Sequence, residues 1–477
     1  MTSGPISLQS PTGNNSDLWL SKDLCVIAEG ENYLLLEPSL PCVLLVNPST
    51  LAALKAFQKG DSRHLLPGSF LFQSLVDGAI LRKKNWPKSP VKPPVGFDPD
   101  GVSLFLTTRC SMRCIYCYSN GGEKNQKMPW EIARTALDWI MQHTIERGRK
   151  QFAIRFHGGG DPIMAFKLLK RCVIYTQEKN QRLGLKARIE SGLNGVMGHA
   201  TVDWICRHTH GATLSLDGSA MIHNRQRPLC TRRPSYKMVA ATLKKMDAHG
   251  FAYGLRLTVT ADGVPRLAES IEDICKNFAV KTIQAEPVFL AGRALENRLE
   301  PVDPKAFVEG FRKAATVAAG NGRQLTYSGA RFPHSTPGFC KAVSGGSLAV
   351  TSDGLVTACY EVNSADDRRA GLFIFGRFDE KKQRLILDEE KIGILQSLTA
   401  KNKPFCGKCF CRFYCAGDCP AKLALLGDAR DPSSSPRCFI NQELTKDQIR
   451  AWLQKDRPAR PVGATQGATQ NGIRSRS

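Results

Sequence analysis

Residues 107–122 read TTRCSMRCIYCYSNGG, setting Cys110, Cys114 and Cys117 in a C-x3-C-x2-C spacing with Tyr118 directly after the third thiol. Three closely spaced thiolates hold three irons of a [4Fe–4S] cube and leave the fourth iron open to a reactant, an arrangement suited to catalysis rather than to structure alone. A closed structural zinc site needs a fourth nearby Cys or His, and none lies between Cys117 and Trp130. The bland alternative is three buried core cysteines that happen to be spaced this way, since short motifs match by chance.

Outward from this stretch the chain alternates strand and helix. VSLFLT (102–107) precedes the cysteines, and FAIRF (152–156), ARIES (187–191), ATLSLD (212–217), YGLRLTVT (253–260) and TIQAEP (282–287) follow. Amphipathic stretches such as WEIARTALDWIMQH and KMVAATLKKMDAHG lie between them. Repeated βα units imply a parallel sheet with helices outside, and six are too few for a closed eight-stranded barrel. The residues able to do chemistry recur where strands end: Cys110 after the first, HGGGDP after the second, Asn194-Gly195 after the third, Asp217-Gly218 at the fourth and Glu286 at the sixth, with Arg256 inside the fifth.

The cysteine spacing with its trailing aromatic resembles the radical S-adenosylmethionine superfamily. The resemblance implies an α/β fold built on a partial (β/α)6 TIM-like barrel. It also implies that the open iron chelates the amino and carboxylate groups of S-adenosylmethionine, which one electron then cleaves to a 5′-deoxyadenosyl radical. Gly158, Gly159, Gly160, Asp161 and Pro162 resemble the family's Gly-Gly-Glu-Pro segment, which contacts the cofactor's amino group; Asp161 stands where Glu is usual. A tight strand-to-helix turn would also use Gly and Pro. SLDGSAMIHNRQRP, from Ser215, resembles the S-[IL]-D-G-x4-H-[DN]-x2-R stretch of peptide- and protein-modifying members. Arg225 or Arg227 would pair with the cofactor carboxylate, because guanidinium binds carboxylate bidentately. Asp217 is a further cofactor candidate or a turn residue before Gly218. Ser191 and Asn194 are candidates for ribose or carboxylate contacts, and Tyr118 for the adenine.

A second cysteine field fills the C-terminal third. Cys340 is followed by Gly354 and Cys359, then CGKCFCRFYCAGDC supplies Cys406, Cys409, Cys415 and Cys419, and Cys438 closes the series. These spacings resemble the seven-cysteine SPASM extension. The resemblance implies two auxiliary [4Fe–4S] clusters, one closed by Cys406, Cys409, Cys415 and Cys438, the other held by Cys340, Cys359 and Cys419. The second lacks a fourth Cys, since KAVSGG follows Cys340; an open iron, a non-Cys ligand or Cys411 would complete it. A zinc knuckle from Cys406, Cys409, Cys415 and Cys419 is the structural alternative, though it leaves three cysteines unused. Cys25, Cys42, Cys172, Cys206, Cys230 and Cys275 read as core residues.

The chain has 477 residues, 42% of them hydrophobic, and a formal charge of +23. No stretch reaches the roughly 18–20 apolar residues that span a membrane, and MTSGPISLQSPTGNNSDLWL is not built like a signal peptide, so a cytoplasmic protein is expected. Seventeen cysteines in such a chain argue for metal clusters over disulfides. The positive charge suits an acidic peptide segment; no zinc finger, helix-turn-helix or aromatic–basic RNA signature accompanies it, so nucleic acid is not expected.

Six regions follow: a disordered 1–20, a small α+β unit at 21–83, a Pro-rich linker at 84–101, the barrel at 102–330, the auxiliary-cluster domain at 331–455 and a basic disordered tail at 456–477. The unit at 21–83 resembles, in pattern, the peptide-recognition domains fused to peptide maturases, where a leader peptide adds a strand to a sheet edge. The whole resemblance implies an enzyme that abstracts hydrogen from a residue of a ribosomally made peptide, installing a thioether, a carbon–carbon crosslink or an epimerised residue, with flavodoxin or ferredoxin as reductant. Sulfatase-maturing relatives carry Asp immediately after the second SPASM cysteine; here Tyr360 and then Glu361 follow Cys359. Maturation of a larger protein, of sulfatase or dehydrogenase-cofactor type, is the alternative enzyme reading. An iron–sulfur electron carrier or scaffold is the non-enzymatic one.

Overall fold

The computed structural model describes residues 18–38, 40, 42–83, 91 and 96–454. The expectations of disorder for 1–17 and 456–477, and of a linker for 84–90 and 92–95, fall outside the described residues. Leu18–Leu20, expected to be disordered, instead forms β1, paired antiparallel with β5 (Leu81–Lys83). Between them lie β2 (Cys25–Glu29), β3 (Asn32–Glu37), β4 (Cys42–Val46), α1 (Pro48–Gln58) and α2 (Phe70–Asp77). The strands β2, β3 and β4 form an antiparallel sheet with β3 central. Asn47 starts α1 by accepting from Thr50 N at 2.9 Å, with Pro48 pre-set for the first turn.

The leucine run of β3 is buried on both faces of that sheet. With period-2 alternation, Val26, Leu35 and Leu44 pack on Leu51, Leu54 and Leu75 of the unit's own helices. Ile27, Leu34, Leu36 and Val43 face the other way, onto Phe332, Phe410, Tyr414 and Ile449 far along the chain. Each fully buried side chain of this size contributes about 1.5–3 kcal/mol. The Asp23–Arg412 pair and Arg450 Nε to Glu29 Oε1 at 2.8 Å rim the junction.

The main sheet has eleven strands. Its elements run β6 (Gly101–Leu104), α3 (Trp130–Glu146), β7 (Gln151–Phe156), α4 (Phe166–Leu183), β8 (Lys186–Leu193), α5 (His199–His208), β9 (Gly211–Ser215), α6 (Ala220–Gln226), α7 (Tyr236–Ala248), β10 (Tyr253–Val259), α8 (Leu267–Asn277), β11 (Thr282–Pro287), α9 (Arg293–Glu296), α10 (Pro304–Gly320) and β12 (Gln324–Thr326). From β6 to β12 each strand pairs parallel with the next. The six expected strands are thus present in sequential order, and β12 adds a seventh. β6 ends at Leu104, earlier than expected, because the chain there turns toward the cysteine loop, with Thr107 Oγ1 donating to Gln126 O at 2.6 Å.

The C-terminal third joins the same sheet. β13 (Ala349–Val350) lies parallel to β6, and β14 (Leu355–Thr357), β15 (Ile374–Asp379) and β16 (Arg384–Leu387) continue antiparallel from it. The helices α11 (Ala370–Phe373), α12 (Glu389–Gln396), α13 (Pro420–Leu426) and α14 (Pro436–Gln454) complete it. The expected boundary at 330/331 therefore does not separate two sheets. No described helix is long and apolar enough to cross a membrane.

Candidate functional site

Parallel strands in sequential order put their C-terminal ends along one edge, and the cysteine loop hangs there, between β6 and α3. Its backbone is fixed by one arginine of the loop and another from far along the chain. Arg113 Nη1 donates to Cys110 O (3.1 Å) and Met112 O (3.0 Å), and its Nη2 to Gly122 O (2.7 Å). From α9, Arg293 gives Nη1 to Cys114 O (3.1 Å), Nη2 to Gly121 O (2.7 Å) and its backbone N to Cys117 O (3.0 Å). Gly292, at φ 51°, allows this approach; a Cβ there would lie 2.5 Å from Cys117 O. The thiols are left to receive weak donors: Asn194 Nδ2 at 3.7 Å and Met112 N at 3.5 Å from Cys110 Sγ, and Gly121 N at 3.4 Å from Cys117 Sγ. Burial pushes the Cys114 thiol up to about 12, with the Arg227 guanidinium pulling the other way.

The glycine segment runs against this loop. Gly160 N donates to Thr107 O and Asp161 N to Arg109 O, both at 2.8 Å. A Cβ on Gly160 would lie 2.0 Å from Arg109 O, so only glycine fits so close an approach. The Asp161 carboxylate accepts from Ile163 N (2.9 Å) and Asn194 N (2.7 Å). Both oxygens thus tie the ends of β7 and β8 together, and burial raises the group to about 6. Asn194 also donates to Ser111 Oγ at 2.9 Å. Ser191 Oγ is buried without a hydrogen-bond partner.

The arginine pair separates. Arg225 is exposed and pairs with Asp262 at the surface. Arg227 is 8% exposed and points inward, its Nη1 2.6 Å from Tyr116 OH and 4.0 Å from Asp217 Oδ1, with Nε buried and unpartnered. Tyr116 OH donates to Asp217 Oδ2, and Thr258 N donates to Asp217 Oδ1 at 3.1 Å. His223 Nδ1 accepts from Asp217 N at 3.3 Å, and burial holds this imidazole down at about 3. Burial raises the Tyr118 phenol, as do the negative charges of Cys117 and Glu361, while the Arg256 guanidinium pulls the other way. Sequence reasoning missed Tyr116, hidden between two cysteines, and Arg293, which has no local signature; it also placed Cys230 in the core, where the structure shows it exposed.

The second cysteine field gathers in two places. Cys406, Cys409, Cys415 and Cys438 line one pocket together with Cys411 and Asn441. Asn441 Nδ2 lies 3.0 Å and Asp418 N 3.2 Å from Cys415 Sγ, while Cys411 Sγ reaches Asn441 O at 3.7 Å. Cys340, Cys359 and Cys419 form the other group: Cys359 feels both other thiols, and the Glu361 carboxylate acts on all three. Glu361 is held by Lys422 Nζ (3.3 Å) and Arg369 Nη1 (3.4 Å). Among the described residues no three His, Cys, Asp or Glu side chains converge as ligands of a single ion. A four-iron cube sets its thiolates farther apart than one tetrahedral ion does, and the gathered thiols, with N–H groups aimed at sulfur, suit such a cube. The unpartnered Arg227 Nε and Ser191 Oγ beside the glycine segment suit a small ligand with carboxylate and hydroxyl groups.

The structure of native anSMEcpe with bound AdoMet, an anaerobic sulfatase maturase, superposes with a TM-score of 0.58 at 15% identity, covering 75% of this chain and 100% of that one. The fold is that of radical S-adenosylmethionine enzymes. The same protein with bound AdoMet and Cp18Cys peptide matches at a TM-score of 0.56 and 15% identity over 75% of this chain and 100% of that one. No family model matches the chain. The uncharacterized protein MJ0907 of Methanocaldococcus jannaschii is 25% identical over 180 residues, which is 38% of this chain and 59% of that protein. The chain thus spans about three-fifths of the length of this curated relative.

Proposed function

We propose that the protein is a radical S-adenosylmethionine enzyme with three [4Fe–4S] clusters, modifying a residue of a ribosomally made peptide in the cytoplasm. The observation that carries this is the juxtaposition of the Cys110–Cys117 loop, the Gly158–Gly160 backbone and the inward Arg227 at the C-terminal edge of one parallel sheet. Cys110, Cys114 and Cys117 would hold the cofactor-binding cluster. When bound, cluster and S-adenosylmethionine supply a carbon radical able to take hydrogen from an unactivated C–H bond. Arg227 would supply the guanidinium for the cofactor carboxylate, the glycine backbone would take its amino group, and Ser191 Oγ and Asn194 would offer polar contacts. Cys406, Cys409, Cys415 and Cys438 would close one auxiliary cluster; Cys340, Cys359 and Cys419 would hold the other.

A peptide substrate is supported by the fold shared with a maturase captured with a peptide. A sulfatase-type reaction is disfavoured by the residue after Cys359: Tyr360 OH is engaged with Ser103 Oγ at 2.6 Å, where a carboxylate base would be required. The products, a thioether, a carbon–carbon crosslink or an epimerised residue, all begin with the same hydrogen abstraction. Flavodoxin or ferredoxin would supply the electron.

The test is anaerobic reconstitution followed by iron analysis and an assay of 5′-deoxyadenosine under dithionite. About 12 irons per chain are expected from three four-iron cubes. Cys114→Ala should abolish 5′-deoxyadenosine formation; undiminished product from a folded variant would overturn the reading. Bound zinc with about four irons would show the second field to be a knuckle.

A further inference from the structure

A buried lysine lies on the loop that carries thiols of both auxiliary groups, in no ion pair with a carboxylate among the described residues. Lys403 is 1% exposed, and its Nζ makes one hydrogen bond, to Gly417 O at 2.6 Å. An ammonium carries three donors, and a buried charge is ordinarily paired. Cys406, Asp418, Cys415 and Cys419 are the groups whose charges act on it. Asp418 is already engaged, accepting from Arg437 Nε at 3.0 Å and Ser435 Oγ at 2.8 Å. The remaining groups are thiols, two from the pocket of Cys406, Cys409, Cys415 and Cys438, and one from the group of Cys340, Cys359 and Cys419.

The placement is built into the loop. Lys403 O accepts from Cys406 N at 2.9 Å, tying the lysine to the first thiol. Gly417, at φ 86°, turns the strip between Cys415 and Cys419 over the side chain; a Cβ there would come within 3.0 Å of Lys403 Cδ. A second cation is similarly in no ion pair with a carboxylate among the described residues. Arg331 gives its nitrogens to Tyr414 O (2.8 Å), Phe339 O (2.7 Å) and Cys415 O (2.9 Å); burial lowers it, and Cys415, Cys340 and Asp418 act the other way. Two cations whose hydrogen bonds go to carbonyl oxygens, with Asp418 as the carboxylate acting on both, stand where thiols of both groups also act on them, a placement suited to further negative charge at the thiols.

We propose that Lys403 is the fixed counter-charge of the two auxiliary iron–sulfur sites, held between them so that each accepts an electron more readily, with Arg331 as its companion on the Cys415–Cys340 side. The proposal rests on the reading of the seven cysteines as two clusters. Each one-electron reduction adds a negative charge to a cube, and net charge and hydrogen bonding around a cluster set its potential. A cation in a dry interior acts more strongly than one in water.

The experiment is an EPR-monitored redox titration of the reconstituted full-length chain, wild type against Lys403→Gln and Lys403→Met. Glutamine keeps a donor for Gly417 O and removes the charge; methionine removes both. Both variants should hold wild-type iron and require a more negative potential for half-reduction of the auxiliary signals, by at least the roughly 59 mV that a tenfold change in a one-electron couple represents. Unchanged potentials in both overturn the proposal, as does a shift in the methionine variant alone, which would trace the effect to the hydrogen bond. If both neutral variants lose auxiliary iron, Lys403→Arg decides: retained iron supports the charge role, lost iron overturns it. Wild-type iron of about four per chain would remove the cluster reading and this proposal together, and is read before any variant is made.

Discussion

Two positions along the chain separate a surface arginine from a buried one. Removing the charge of Arg227 should weaken S-adenosylmethionine binding about ten- to hundredfold, the worth of a charge-assisted hydrogen bond of about 1.5–3 kcal/mol. Arg225→Met should change it less than about twofold, because an exposed ion pair contributes little. Equilibrium dialysis on Arg227→Met and Arg225→Met reads both, and equal losses would refute the assignment. The motif left the choice between them open because both fall within its spacing; the turn of α6 decides it. His223 and His157 carry a pH consequence. Burial depresses them to about 3 and about 4 from 6.5, so the folded chain binds their protons more weakly than the unfolded one, and stability rises with pH up to about 6.5. Asp161, raised to about 6, opposes this between about 4 and 6. His223→Gln should flatten the rise by one proton, about 1.4 kcal/mol per pH unit, in denaturant midpoints taken at successive pH values; an unchanged slope would show that His223 does not titrate as described.

At the scale of elements, the four-residue α9 does more than its length suggests, since Arg293 donates to two carbonyls of the cysteine loop. Arg293→Ala leaves those buried carbonyls short of a donor, at about 1–3 kcal/mol each. Iron should then fall selectively from the first site, to about 8 per chain if both auxiliary cubes remain, with loss of cofactor cleavage; retained iron and cleavage would show the clamp to be dispensable. No sequence pattern announced α9, because its function lies in a contact made 172–179 positions upstream. The six parallel strands were legible because each is an apolar or alternating segment followed by residues of distinct chemistry. Strand β12, Gln-Leu-Thr, and the two-residue β13 were not, because their place comes from neighbours rather than from their own composition. The seven spaced cysteines were legible as a field, and their division came only from the resemblance; that Cys411 joins the pocket of Cys406, Cys409, Cys415 and Cys438 is a property of the fold.

At the scale of the molecule, the N-terminal sheet packs against the second cysteine field. The small α+β unit expected at 21–83 is not independent of the second cysteine field, because Ile27, Leu34, Leu36 and Val43 share a core with Cys415 and its neighbours. Deleting residues 1–83 should therefore lower iron from about 12 toward about 4 per chain while the first site survives; full iron in the truncated chain would show that the shared core is not needed. Leader recognition is better tested in the intact protein, by comparing capture of a precursor with that of its leaderless form. The same junction joins residues very distant in sequence: Asp23 meets Arg412 across 389 positions, and Glu29 meets Arg450 across 421. Contacts of such separation form late. At about 5–20 residues per second of synthesis, the sheet emerges from the ribosome roughly 20–70 s before residues 410–452 arrive to cover it. For that interval the apolar face of Ile27, Leu34, Leu36 and Val43 stays uncovered, so chains halted early keep a persistent signal for chaperones and proteases, and those extended past residue 452 lose it.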